Sequence, residues 1–317
     1  MPLGLSLHIG LNEVDKEHYG SPCKLTGCVG DAHAMRDLAQ AAGFEPTLML
    51  GAHATAEAVL GAIGHAAQRI GSDGILLLTY SGHGGRVRDV NDDEGGRHSW
   101  DETWCTHDRQ VVDDELFHAW ADFPKGARVL VVSDSCFSGH VIRAARAARA
   151  AQGTTEPRTG LAFQPLVAEE DEGAPEVKAD AAGRGRGLVA RARPPVMRGS
   201  GTRPRPRALS SKDARRIYLR KRSIYDRIQK ELRARPSRPV EAEVLLLSAA
   251  QDNETAQDGD ENGAFTRALL DVWNKGEFRG NYRDFYSRIR ERLKGIQHPH
   301  IMALRPPSFS DERPFTI

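Results

Sequence analysis

The sequence predicts an α/β fold built on a mostly parallel sheet, and two observations carry this prediction. Continuous apolar runs occupy residues 75–80 and 129–132, and Gly and Ser residues bound them. Short apolar runs of this kind are typical of strands buried on both faces, as in a parallel sheet covered by helices. Segments with apolar residues three and four positions apart alternate with such runs, which is the order of a doubly wound domain.

The first part of the chain contains three predicted strands and two predicted helices in alternation. Both helices place their apolar residues on one face, so each is predicted to pack on the sheet. Gly43 follows the first helix, as is common at helix ends, and Thr55 is a candidate N-cap for the second. In order, the strands and helices cover residues 5–11, 31–42, 47–50, 55–70 and 75–80.

Further elements follow a polar loop that is predicted to extend from the end of the third strand to about residue 112. A helix and a strand come after this loop, and a strand and two helices lie near the C-terminus. Their periodicities are those of the earlier elements. In order, they cover residues 113–120, 128–133, 244–248, 264–273 and 282–293.

Residues 144–239 interrupt the pattern. Acidic residues cluster at 169–172, and Gly, Arg and Pro fill 183–207. Such a composition cannot bury enough apolar surface to offset its conformational entropy, so we expect a long, partly disordered insert. Residues 213–234 differ, because Ile and Leu recur at helical spacing among Arg and Lys. They predict a basic amphipathic helix that docks on the body of the protein.

Composition restricts the class of protein. The 317 residues allow a sizeable core, and the formal net charge of +1 favours no particular class of partner. Nothing near the N-terminus resembles a signal peptide, and no apolar run approaches the roughly 18 residues of a membrane helix. The four cysteines are too few and too irregularly spaced for a disulfide framework. We therefore expect a cytoplasmic location and no membrane partner.

A histidine and a cysteine follow the two apolar runs. The first run leads into SGHG at 81–84, and the second leads into DSCFSG at 134–139. If the two strands are neighbours, His83 and Cys136 emerge together at the carboxyl edge of the sheet, where open α/β sheets place active sites. A thiol with an ordinary pKa of about 8.5 needs such an imidazole to become a good nucleophile. The pair therefore predicts a cysteine peptidase.

The two blocks resemble those of metacaspases and of their prokaryotic caspase-like relatives, the orthocaspases of the caspase clan. His83 precedes Cys136 by 53 positions, close to the roughly 50 residues typical of caspases. The resemblance also includes GCVGDA at 27–32, LLLSAA at 245–250, GAFTRALL at 263–270 and QHP at 297–299. It implies a caspase-like fold with a p20-like part over 1–143, the insert over 144–239 and a p10-like part over 240–317.

The resemblance implies a Cys-His dyad that needs no cofactor for its chemistry. Cys136 would attack a peptide carbonyl, and His83 would take the thiol proton or protonate the leaving amine. The backbone N–H groups of Gly84 and Cys136 are the candidate oxyanion hole.

An acidic specificity pocket is also implied, formed by Asp31, Ser81 and Asp134. Paired carboxylates suit a guanidinium, because bidentate charge-assisted hydrogen bonds add both energy and geometry. We therefore expect protein substrates that are cleaved after Arg or Lys. An N-terminal helix cap is the alternative role for Asp31, and it does not exclude a place in the pocket.

Calcium is a further candidate ligand. The resemblance implies that Asp101, Asp113 and Asp114 bind it, with Glu115 as an additional ligand. Arg143 stands where the resemblance leads us to expect another Asp, and a cation is unfavourable beside calcium. Arg143 therefore argues against calcium dependence.

The insert predicts a zymogen, because it separates the two parts of the chain that must cooperate. A cut after an Arg in the insert, made by the protein itself or by an upstream protease, would then activate the enzyme. The sequence does not rank the candidate sites, and a tolerated surface insertion is the alternative. The candidates are Arg191, Arg193, Arg198 and Arg207.

Three other functions stay open. A catalytically silent caspase-like scaffold would not need the intact His83 and Cys136. The basic insert could bind nucleic acid electrostatically, but it has few aromatic residues for stacking, so we do not expect this partner. Separase-like and gingipain-like peptidases use the same dyad, and the DSCFSG block favours the metacaspase side.

Overall fold

The structure is a computed structural model that describes residues 2–90, 100–136, 164–166, 205–236, 238–250, 256–304 and 307–317. In this part of the chain, seven strands form a mixed sheet in the order β2-β1-β3-β7-β9-β10-β8. The first five in this order are parallel, and β10 and β8 are antiparallel to their neighbours. The strands are β1 (Gly4–Gly10), β2 (Glu45–Leu50), β3 (Ile75–Ser81), β7 (Arg128–Asp134), β8 (Gln164–Pro165), β9 (Glu243–Ser248) and β10 (His300–Ala303).

Helices cover both faces of this sheet. The helices are α1 (Lys16–Tyr19), α2 (Cys28–Ala41), α3 (Ala56–Arg69), α4 (Asp113–Trp120), α5 (Ser211–Ala234), α6 (Ala264–Trp273) and α7 (Tyr282–Leu293). None of those in the described ranges is long and apolar enough to cross a membrane. The prediction of a mostly parallel sheet flanked by helices is confirmed.

The apolar strands are buried on both faces because successive side chains enter different cores. Leu76 and Leu78 of β3 belong to one apolar cluster, together with residues of α3, α4 and α5. Ile75 and Leu77 belong to the other cluster, together with residues of α2, α6 and α7. A strand in this position has no solvent-facing side, which explains its continuous apolar run.

The region predicted as a polar loop contains a second, three-stranded antiparallel sheet instead. Its strands are β4 (Gly84–Arg88), β5 (Trp100–Cys105) and β6 (Gln110–Val112). Polar residues are buried here by pairing with each other, as when Thr103 Oγ1 donates to Gln110 Oε1 over 2.7 Å. Such pairing removes the apolar alternation on which the sequence prediction depended. The short elements α1, β8 and β10 were not predicted either.

Helix α5 comes from the last part of the insert and is fastened to the body by buried polar contacts. The Gln229 amide donates to the carbonyl of Arg88 over 2.8 Å and accepts from the N–H of Val90 over 2.7 Å. The fully buried Tyr225 hydroxyl lies 2.6 Å from His18 Nε2 and accepts two hydrogen bonds of 3.2 Å from Gln110. Burial lowers the pKa of His18 to about 4, so the ring is neutral and its Nε2 accepts a hydrogen bond from the Tyr225 hydroxyl.

Replacing Tyr225 by Phe will weaken this attachment. The change leaves the N–H of Gln110 and Nε2 of His18 without their partner, which typically costs about 1–3 kcal/mol. Urea denaturation followed by circular dichroism should show a loss of this size. Leu219, on the exposed face of the same helix, is the control: Leu219→Ala should change the free energy of unfolding by no more than about 0.5 kcal/mol. Equal losses in both variants would contradict the assignment.

Candidate active site

His83 and Cys136 lie at the carboxyl edge of two adjacent parallel strands. β3 pairs with β7 so that Ser81 is opposite Asp134. His83 comes two residues after Ser81, and Cys136 comes two residues after Asp134, so the strand register delivers both side chains to the same edge of the sheet. Both residues are buried, with 7% of His83 and 0% of Cys136 exposed.

The ring of His83 is oriented by a backbone carbonyl. Its Nε2 lies 2.8 Å from the carbonyl oxygen of Cys23, and because a carbonyl only accepts, Nε2 carries the proton. Nδ1 has no hydrogen-bond partner within the described residues. Burial lowers the pKa of His83 to about 4. The ring is therefore neutral, with Nδ1 available to take a proton.

The sulfur of Cys136 contacts the loop that follows β9. The N–H of Ala256 donates to Sγ over 2.9 Å. Burial raises the pKa of the Cys136 thiol to about 12, although this hydrogen bond acts in the opposite direction. In this structure His83 and Cys136 are both uncharged, so the Cys136 thiol is not in its reactive thiolate form.

The backbone N–H groups of Gly84 and Cys136 converge on one carbonyl oxygen, that of Arg207. The distances from the two nitrogens to this oxygen are 3.0 and 3.3 Å. Gly84 has to be glycine, because a Cβ atom there would lie 1.6 Å from the carbonyl oxygen of Cys136. Two donors aimed at one carbonyl oxygen are the arrangement that stabilises a tetrahedral oxyanion.

Residues 205–209 lie in the cleft as an extended peptide. The carbonyl of Arg205 accepts from the N–H of Asp258 over 2.9 Å, and the N–H of Arg207 donates to the carbonyl of Ala256 over 3.0 Å. Beyond Arg207, the N–H of Leu209 donates to the carbonyl of Gly84 over 2.9 Å. The backbone is thus held on both sides of the Arg207 carbonyl.

The Arg207 side chain fills a pocket lined by three carboxylates. Its guanidinium nitrogens lie 2.7 Å from Asp31 Oδ2, 2.9 Å from Asp134 Oδ1 and 3.0 Å from Asp258 Oδ1. Nη1 also donates to the Ser81 hydroxyl over 2.9 Å, and that hydroxyl donates to Asp31 over 2.7 Å. Arg207 is 0% exposed. A planar guanidinium with several N–H donors can contact three carboxylates at once, which suits Arg better than Lys.

Backbone and hydroxyl donors fix the carboxylates of the pocket. Asp31 accepts from the N–H of Gly263 over 3.0 Å. Asp134 accepts from the N–H and the hydroxyl of Thr266 at 3.0 and 2.7 Å. Burial raises the pKa of Asp134 to about 6, although the charge of Arg207 acts to lower it. Asp134 can therefore gain a proton in mildly acidic solution.

The pKa of Asp258 is shifted in the opposite direction to that of Asp134. Burial raises its pKa, but the charge of Arg207 and the N–H donors of Thr26 and Gly27 outweigh this effect and keep the pKa below its ordinary value. The donors lie 2.7 Å and 3.1 Å from the carboxylate. Asp258 is therefore held in the charged form more firmly than Asp134.

Comparison with known proteins identifies the family. The caspase-domain model of the C14 peptidases matches residues 5–308. This chain belongs to the caspase-domain peptidase family. The resemblance to metacaspases inferred from the sequence is therefore confirmed at the level of the family.

Several relatives of this caspase-domain chain are metacaspases. A metacaspase-1 of Cryptococcus neoformans var. neoformans is 25% identical over 95% of this chain, and a metacaspase-6 of Arabidopsis thaliana is 31% identical over 44% of it. The matched regions span 62% and 39% of those two proteins. A solved structure from Geobacter sulfurreducens is 34% identical with a TM-score of 0.74, and the match covers 100% of this chain and 99% of that chain.

Three of the predicted pocket residues lie together, and their role in binding substrate stays a prediction. Asp31, Ser81 and Asp134 do come together around one guanidinium. Asp258 was missed, because it lies in a polar stretch with no periodicity and outside the motifs. Arg207 was one of four unranked candidate cut sites, and the other three lie outside the described residues.

The proposed calcium ligands do not form a metal centre within the described ranges. Asp101 lies on β5, whereas Asp113 and Asp114 begin α4. No group of three or more His, Cys, Asp or Glu side chains in the described part of the chain could hold a metal ion. Glu115 is paired with Arg109 over 2.7 Å, and Arg143 lies outside the described residues. Calcium binding by these residues stays untested, and Arg143 remains the argument against calcium dependence.

Replacing Arg207 by Met will destabilise the intact chain. The three carboxylates would lose their buried cation, and removing one partner of a buried charged network costs about 3–5 kcal/mol. Urea denaturation should show this loss in a Cys136→Ala background, which removes the candidate nucleophile. Arg205→Met is the control, because Arg205 is exposed and should contribute no more than about 1 kcal/mol. A loss for Arg207→Met no larger than that of the control would contradict the pocket.

Proposed function

We propose that this protein is a cysteine endopeptidase that cleaves after Arg or Lys, made as a zymogen that cuts its own Arg207–Ala208 bond. The observation that carries the proposal is the position of Arg207. Its side chain fills the acidic pocket, and its carbonyl oxygen lies between the N–H groups of Gly84 and Cys136. This is the arrangement of a bound substrate at the residue before a scissile bond.

The chemistry begins with proton transfer from the Cys136 thiol to the imidazole of His83. The sulfur attacks the carbonyl carbon of Arg207, and the N–H groups of Gly84 and Cys136 stabilise the oxyanion. His83 then protonates the amine of Ala208 as it leaves. Water hydrolyses the resulting thioester and frees the carboxylate of Arg207. The carbonyl of Cys23 holds the His83 ring in one orientation.

The pocket explains the proposed specificity. Three carboxylates and one hydroxyl surround the guanidinium. Lys carries the same charge but lacks the planar fork, so we expect it to be the weaker substrate. Asp would place a fourth carboxylate among three others, so we expect substrates with Asp before the scissile bond to be rejected.

The position of Arg207 also ranks the candidate cut sites. Residues 205–209 of the chain lie in its own cleft, which favours an intramolecular cut over a cut by a second molecule. A proline, Pro206, follows Arg205, so a cut after Arg205, two residues earlier, would have to break a bond to proline. An upstream protease would have to reach a bond whose preceding Arg side chain is 0% exposed.

The catalytically silent scaffold is the alternative that this site disfavours. A scaffold has no requirement for a peptide carbonyl held by two N–H donors beside a cysteine. Nucleic-acid binding by the basic face of α5 would leave Arg207 and its pocket unexplained. The peptidase proposal accounts for both.

Self-processing should generate a fragment that begins Ala208-Leu209-Ser210. Arg207→Gln should slow this cut at least about 100-fold, because the carboxylates lose about 3 kcal/mol of charge-assisted contacts. N-terminal sequencing and gel analysis over time provide the measurement. Arg198→Gln, which changes another candidate site, should be processed at the wild-type rate, and Cys136→Ala should not be processed. Dependence of the first-order rate constant on protein concentration would contradict a cut within one molecule.

The preference for Arg substrates should fall as the pH is lowered from 8 towards about 6. The pKa of Asp134 is about 6 with Arg207 in place, and it is higher when a neutral side chain fills the pocket, because the arginine charge lowers it. Below this pKa Asp134 is protonated and the pocket loses one negative charge. The ratio of kcat/KM for an Arg peptide to that for the matched neutral citrulline peptide should therefore fall up to about tenfold per pH unit. A ratio that stays constant from pH 8 to pH 5 would contradict the role of Asp134.

A further inference from the structure

The residues that follow the Arg207–Ala208 bond are anchored in the body of the protein. Leu209 is 4% exposed and belongs to the apolar cluster that includes Trp104 and Ile217. Its N–H donates to the carbonyl of Gly84 over 2.9 Å. The next residue, Ser210, caps α5, since its hydroxyl accepts from the N–H of Asp213 over 3.1 Å.

The two sides of the bond differ in how firmly they are held. After the bond, α5 is fastened by buried residues along its length, among them Ile217, Tyr225 and Gln229. Before the bond, the Arg207 side chain is held in the pocket, whereas the side chains of Arg205 and Pro206 are exposed. After a cut, the preceding segment could leave once the Arg207 guanidinium exchanges with that of a substrate, whereas the new amino group of Ala208 stays next to a buried leucine and beside Cys136.

We propose that this amino group is an acyl acceptor, so that the processed protein cleaves a substrate after Arg and joins the acyl part of that substrate to its own Ala208. The inference rests on the proposed peptidase function, because the donor must first form a thioester with Cys136. It adds a second reaction at the same site, a peptide ligation that competes with hydrolysis.

The ligation step balances without any co-reactant. A donor peptide binds with its Arg side chain in the acidic pocket and acylates Cys136 as in hydrolysis. The neutral amine of Ala208 then attacks the thioester carbonyl, whose oxygen is held by the N–H groups of Gly84 and Cys136. The C–S bond breaks, a C–N bond forms, and the proton lost by the amine passes through His83 to the sulfur, which restores the thiol.

Because it is anchored, the Ala208 amine can compete with water for the thioester. An α-amino group has an ordinary pKa of about 7.7–8.0, so a large fraction is neutral at pH 8. A short tether supplies an effective concentration of about 1 mM or more, and correct orientation raises its effect further. The new bond has the same position as Arg207–Ala208, so it is cut again. The ligated form should accordingly accumulate and then decline as the donor is consumed.

Intact-mass measurement on the self-processed protein tests the proposal. The protein is mixed at pH 8 with an excess of the fluorogenic donor acetyl-Arg-Pro-Arg-aminomethylcoumarin and quenched with acid at intervals. The fragment that begins at Ala208 should gain the mass of the acetyl-Arg-Pro-Arg acyl group while the fluorophore is released. Fragmentation should place the added mass on the Ala208 nitrogen, and an adduct found only on lysines would overturn the proposal.

Two controls separate ligation from hydrolysis. Reductive dimethylation of the processed protein turns the Ala208 amine into a tertiary amine, which should abolish the adduct but leave fluorophore release in place. Leu209→Ser, which weakens the anchor, should lower the ratio of adduct to released fluorophore about tenfold. Leu219→Ser, on the exposed face of α5, should leave the ratio unchanged.

The outcomes distinguish the two proposals. Fluorophore release with no adduct at any time overturns the ligation and leaves the peptidase function standing. An adduct that survives dimethylation also overturns the acceptor role of Ala208. If neither fluorophore nor adduct forms, the peptidase function fails and the ligation fails with it.

Discussion

The burial of the Arg207 guanidinium among three carboxylates is the interaction on which the cleft depends. Asp31, Asp134 and Asp258 come from α2, β7 and the loop before α6, and each is aligned by its own hydrogen bonds. Without a cation, three buried carboxylates would repel one another and lose their solvation. The same network therefore stabilises the uncut chain and requires a basic side chain in the pocket, which links the stability of the uncut chain to the proposed specificity.

The closed state combines substrate-like geometry with an uncharged catalytic pair. Burial favours the neutral forms of both groups, with a pKa of about 12 for Cys136 and about 4 for His83. The peptide in the cleft contributes to this burial, because residues around Arg207 lie over the edge of the sheet where both side chains emerge. Departure of that peptide would admit water and bring both pKa values closer to their ordinary range. The proposed activation would therefore change the solvation of His83 and Cys136 as well as the connectivity of the chain.

Local patterns identified much of this architecture, and their failures have physical causes. The apolar run at 75–80 predicts a strand buried on both faces. The structure explains the run, because successive side chains enter two different apolar cores. The segment from Gly84 to Val112 gave no strand signal, because its buried side chains include polar pairs such as Thr103 with Gln110. Asp258 carried no signal either, since its function comes from a partner 51 positions away, Arg207.

By itself the sequence determined the fold class, the family resemblance and the candidate dyad of His83 and Cys136. These features follow from apolar runs and short motifs, which depend on neighbours along the chain. Only the tertiary structure decided which arginine of the insert enters the pocket and which carboxylates receive it. That choice depends on groups brought together from distant parts of the chain, and no local pattern contains it. The energy of a buried ion pair is set by distance and solvation in space, and both exist only once the chain has folded.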